Sequence, residues 1–133
     1  MSIGEEWQIE DDDGFIAHVG PVYHVPFSAG EGRFRFVAEP KHRNRAGFVQ
    51  GGMLMTFADR AMGRTARQSD EKRAQATAQF SMQFYEPVRI GECVEIVCTI
   101  EKQTRHLVFM RGELLVSGRQ VASATGVWKI IGS

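Results

Sequence analysis

The chain is short of several things, and each shortage excludes a class of function. Its 133 residues hold two cysteines, Cys93 and Cys98. They fall five apart in one alternating segment, so they point to opposite faces of a strand and cannot bridge. Two free thiols suit a reducing compartment. There is no excess of one charge: 16 basic residues balance 16 acidic ones. That balance gives no support for general nucleic-acid affinity. No apolar run approaches membrane-spanning length, and the acidic N-terminal stretch is unlike an export signal. The expectation is a soluble cytoplasmic protein with no nucleic-acid or membrane partner.

Chemistry-bearing motifs are also scarce. His18, His24, His42 and His106 do not cluster, and no CxxC pair is present, so no metal site is expected. There is no GxSxG elbow, phosphate-binding loop or dinucleotide fingerprint. No cofactor is therefore expected. Internal repeats and low-complexity stretches are absent too.

What the chain does have is one glycine-punctuated turn running into an apolar segment, Asn44 to Gly52 and then Met53 to Met62. Gly51 and Gly52 allow close backbone approach, and the residues after them favour a helix from about Gly51 to Arg67. Leu54, Ala58, Ala61 and Thr65 share a stripe, with Met55, Met62 and Ala66 beside it. A helix apolar round so much of its girth is buried. Asp59 lies within it, and a carboxylate there is costly unless paired, solvated by a pocket, or used. The first N–H groups of the helix have no internal partner and, with the dipole, favour negative charge. If that helix start faces Asp59 across a cleft, it can hold a carbonyl oxygen as it becomes an oxyanion, with the carboxylate as base or nucleophile.

Around this helix the pattern is of strands. Pro21–Phe27 and Arg33–Ala38 predict a hairpin, and Gln68–Arg73 a polar loop. Segments 78–84, 94–101, 107–116 and 120–131 alternate apolar and polar residues, the mark of antiparallel sheet with one buried face. The prediction is one α+β domain over 1–133, with five or six antiparallel strands and one helix. Residues 1–19 form an arm or a short helix. Six acids lie within residues 5–13, leaving the body, from residue 14 on, with 16 basic and 10 acidic residues.

The pattern N-x-x-G-x-x-[H/Q]-G-G followed by an aspartate nine residues after the His/Gln position is matched by Asn44, Gly47, Gln50, Gly51, Gly52 and Asp59. Here the chain resembles the hotdog-fold acyl-CoA thioesterases of the phenylacetate-pathway (PaaI-like) group, from about Val22 to the C-terminus. The resemblance implies a sheet wrapped around the helix and hydrolysis of an acyl-CoA. Gly51 N–H would be the oxyanion donor, and Asp59 would activate water or attack the thioester directly. It implies a dimer pairing its sheets edge to edge, or a tetramer, with sites at the subunit interface. Gln50 stands where the family commonly has His; it can donate to a thioester carbonyl or support the loop, but it cannot titrate. Asn44 positions water or the loop, or is a turn residue. Thr77, eighteen residues after Asp59, matches a Ser/Thr placed near the water and would come from the other subunit; strand propensity alone also explains it.

Gly52, Arg64 and Arg105 are candidate substrate contacts, and Arg64, Arg67, Lys102 and Arg105 could meet coenzyme A phosphates. The methionines with Phe48, Phe57, Phe80, Phe84 and Tyr85 are core or acyl-tunnel lining. Two rival readings on the same fold are a non-catalytic acyl-CoA binding protein and a dehydratase; the latter's His-bearing motif is not visible.

Overall fold

The structure is a computed structural model and describes residues 6–132. Part of the predicted N-terminal arm, residues 1–5, and Ser133 lie outside the described residues. The elements in chain order are β1 (Gln8–Ile9), α1 (Phe15–Val19), β2 (Tyr23–His24), β3 (Glu31–Val37), α2 (Gly51–Ala66), β4 (Gln75–Phe84), β5 (Cys93–Gln103), β6 (Leu107–Val116) and β7 (Arg119–Ile130). Short 3₁₀ turns occupy Pro40–His42 and Arg67–Ser69. The strands form one antiparallel sheet in the order β1-β2-β3-β5-β6-β7-β4.

The sheet curls around α2, the arrangement the resemblance implies. Alternate residues of β3, β5 and β6 face the helix: Phe34 and Phe36, then Val94, Ile96 and Cys98, then Val108, Met110 and Leu114, all buried. Cys93 is exposed and Cys98 buried, on opposite faces of β5 as their spacing requires. Phe57 of α2 is fully buried and meets Phe36 edge-on at 4.7 Å. Gly112 lets the helix approach closely. A Cβ there would stand 2.9 Å from Ile96 Cδ1 and 3.1 Å from Met62 Sδ.

Seven strands replace the five or six predicted. The additional one is short: β1, within the segment read as an arm, pairs with β2 over two residues. That segment holds both a strand and a short helix. The predicted Pro21–Phe27 strand shrinks to Tyr23–His24 because Pro21 and Pro26 have no N–H to give to a ladder. Met55, expected beside the buried stripe, is 39% exposed. None of the described helices is long and apolar enough to cross a membrane.

The packing of Phe57 yields a stability prediction. Phe57→Ala removes a side chain that nothing nearby can replace and should cost about 3–5 kcal/mol. Denaturant unfolding checks this; a loss below about 1 kcal/mol would mean the helix is not seated as described.

Candidate active site

The loop before α2 is braced from within. Asn44 Oδ1 accepts the Ala46 and Phe48 N–H groups at 3.0 and 3.1 Å, and Asn44 N–H donates to the Phe48 carbonyl at 2.6 Å. Gly47 takes φ +91°, a conformation that favours glycine. Val49 N–H donates to the Val88 carbonyl, and Gln50 N–H to the His42 carbonyl at 2.7 Å. His42 is buried, and its ring ties two further segments to this turn. Nδ1 accepts the Glu39 N–H at 2.9 Å and Nε2 donates to the Val19 carbonyl at 2.5 Å. These bonds deliver Gly51 to the first helical position. Among the described residues neither the Gly51 nor the Gly52 N–H meets an acceptor, as expected of a first helical turn.

The predicted site residues fall into three cavities. Asn44 and Gly51 share one of about 310 Å³ with Phe48, Leu54, Phe84 and Tyr85. Gln50 and Gly52 face another of about 440 Å³, on the side of α1, with Phe15, Val19 and Met53. Asp59 and Thr77 line a third, about 360 Å³, with Gly63, Arg64, Arg67 and Trp128. Arg105 lies exposed in the β5–β6 turn and lines none of these.

Asp59 is half-buried at the open side of α2, so a pocket solvates it despite its apolar neighbours. Thr77 Oγ1 donates to Asp59 Oδ1 at 2.7 Å. This joins the two on one chain, where the resemblance had suggested separate subunits. The eight residues from Gly51 to Asp59 rise about 12 Å along the helix. One protomer therefore offers an oxyanion-binding end and a carboxylate end that are well apart. The strand β4 runs antiparallel to α2 beside both: Thr77 meets Asp59, and Phe84 packs on Gly51, whose added Cβ would lie 3.5 Å from Phe84 Cζ.

Arg64 is engaged by the chain itself. Its Nε and Nη2 donate to Glu10 Oε1 and Oε2 at 3.0 and 3.2 Å. Arg60 Nε donates to the same Glu10 Oε1 at 2.9 Å, and its Nη1 to Asp12 at 2.6 Å. His24 Nδ1 also lies 2.6 Å from Glu10 Oε2. Burial pushes the Glu10 carboxyl up, but the hydrogen bonds and charges of Arg64 and Arg60 outweigh it and hold the group below its ordinary value. Neither Glu10 nor Arg60 stood out in the sequence. A signal was present: Arg60 and Arg64 are like charges four apart on a helix, which repel unless countered, and an acidic run precedes them.

Residues 46–123, more than half of the chain, match the family model of the Thioesterase superfamily. Over 93 residues, 69% of each chain, the sequence is 30% identical to the Pseudomonas aeruginosa protein named "Putative esterase PA0474". Among solved structures, a mutant of the phenylacetic acid degradation protein PaaI from Thermus thermophilus superposes with a TM-score of 0.82 at 22% identity, covering 90% of this chain and 100% of that one. Zebra fish thioesterase superfamily member 2 gives 0.83 at 23% identity, covering 91% and 89%. At these identities the structural likenesses establish the fold.

The Glu10 network predicts a pH signature. A folded-state value below the ordinary 4.5 means its stabilisation is full above that pH and is lost as pH falls through the folded value. Near neutrality Glu10→Gln should cost about 3 kcal/mol, the scale of breaking a buried ion pair. The difference from wild type should shrink as pH falls below the ordinary value and through the folded one. Unfolding curves at several pH values measure it; a gap independent of pH would refute the charge assignment.

Proposed function

The chain belongs to the thioesterase superfamily, and on that premise we propose that it hydrolyses an acyl- or aryl-CoA to the free acid and coenzyme A. The observation that carries the proposal is Asp59, a half-buried carboxylate held by Thr77 on the same helix that offers unpartnered N–H groups at Gly51. Gly51 N–H polarises the thioester carbonyl and takes up charge as its oxygen becomes an oxyanion. Gln50, at the same helix start, assists from its side chain or supports the loop. Asn44 holds the loop that presents Gly51. Asp59 removes a proton from the attacking water, or attacks the carbonyl carbon itself to give an anhydride that water then opens. By either route the C–S bond breaks and the thiol of coenzyme A departs.

The site is completed by a second copy. β4 is a sheet edge of ten residues without one charged side chain, and such edges invite pairing. Phe84 and Tyr85 at its end are 48% and 51% exposed. Antiparallel self-pairing about a two-fold axis near the middle of β4 brings the Thr77 end of one strand to the Phe84 end of the other. Asp59 with Thr77 then approaches the Gly51 of its copy, closing the gap along α2. A homodimer, or a tetramer of two such dimers, follows. Because Glu10 engages Arg64, the cation better placed for a coenzyme A phosphate is Arg67, which donates to the Glu71 carbonyl.

Thiol release from short, medium, long and aryl acyl-CoAs tests the proposal. Wild type should turn over at least one class, and Asp59→Asn should lower kcat about 100-fold or more with the oligomer intact. Tight acyl-CoA binding by both proteins without turnover would instead identify a binding protein on this fold.

A further inference from the structure

The Asp59 cleft is lined by three guanidinium-bearing residues, Arg60 and Arg64 of α2 and Arg67 of the 3₁₀ turn that follows it. A carboxylate in that company is normally drawn into a charge-assisted pair. Asp59 is not: its recorded partner is the neutral Thr77 hydroxyl, and among the described residues it enters no ion pair. The guanidinium groups of Arg60 and Arg64 turn instead to the arm.

From this geometry we infer that Glu10 is a positioning residue, whose buried carboxylate holds Arg60 and Arg64 off Asp59 and leaves that carboxylate free to react. The inference rests on the hydrolase reading of the site. Glu10 is 6% exposed, a burial tolerated because three N–H groups from two guanidinium ions converge on it. The arm is fixed in register by the Glu10 N–H bond to the Val22 carbonyl at 2.7 Å and by the pairing of β1 with β2. The two arginines are not held alike. Arg60 also has Asp12, whereas Glu10 is the carboxylate recorded for Arg64. Loss of the Glu10 charge therefore releases Arg64 in particular, five residues along α2 from Asp59 and lining the same cavity. A released guanidinium pairs with Asp59 or, by its charge alone, makes it a poorer base and nucleophile. The acidic run thus supplies the counter-charge that keeps an arginine-rich cleft compatible with a working carboxylate.

Steady-state kinetics of wild type, Glu10→Gln, Glu10→Asp and the double variant Glu10→Gln/Arg64→Gln test this on an accepted acyl-CoA. Glu10→Gln should lower kcat about tenfold or more, with KM within about threefold. Added salt should recover part of the loss. Glu10→Asp, which keeps the charge, should lie between it and wild type. The double variant should return to within about threefold of wild type, a suppression that lost folding stability alone would not produce. A Glu10→Gln kcat within about twofold of wild type, or a double variant slower than the single, would overturn the inference. Should Glu10→Gln not fold, Asp12→Asn frees one edge of Arg60 from a partly exposed carboxylate and should give a smaller fall in kcat; an unchanged kcat there would count against the inference. A wild type inactive on every acyl-CoA would remove the hydrolase reading itself and this inference with it.

Discussion

A helix has a fixed rise, and α2 sets the terms for everything around it. Sixteen residues run from Gly51 to Ala66 in the hollow of the sheet, with Leu54, Phe57, Ala58, Ala61 and Met62 packed on the inner faces of the strands. Two features of the helix reach solvent-filled space: its open N-terminus and the side that carries Asp59. The core holds both in place, since neither can shift without disturbing Phe57 against Phe36 or Met62 against Gly112. Rigidity serves a hydrolytic site, because an oxyanion donor and a carboxylate are effective only when pre-set. Rigidity also separates them by about 12 Å within one chain. In the proposed assembly the uncharged edge of β4, which runs beside both ends, brings in the second copy.

Charge is managed in the same economical way. The chain is neutral overall, yet its acids and bases are segregated, and the fold reunites them. The arm crosses α2 where two arginines stand a turn apart, and Glu10 enters beneath them with Asp12 outside. The buried carboxylate joins the arm to α2 through this pairing.

Much of this was legible in the sequence. The alternation in β3, β5, β6 and β7 and the apolar girth of α2 reflect burial on one face or most faces, which single-residue patterns encode directly. The glycine-rich turn and Asp59 were legible because a carboxylate in an apolar helix is costly without a reason. The features that escaped depend on long-range placement. β1 is a two-residue pairing without a period of its own. The bond from Thr77 to Asp59 depends on β4 lying beside α2, which no local pattern encodes. Arg64 resembled a free surface cation because its partner lies 54 residues away. Gln50 and Gly51, adjacent in sequence, face different cavities because the helix start stands between them.

The central claim is that one catalytic unit draws its two ends from two chains. Co-expressing a chain altered at Asp59 (Asp59→Asn) with a second altered at the opposite end (Asn44→Ala), each inactive alone, tests it most directly. In mixed dimers one of the two sites is intact, so acyl-CoA hydrolysis should recover to about a quarter of the wild-type rate for random assortment. Mixed dimers that form but show no recovery, with both variants folded, would mean that each chain carries its own complete site, and the account of α2 and β4 given above would fail.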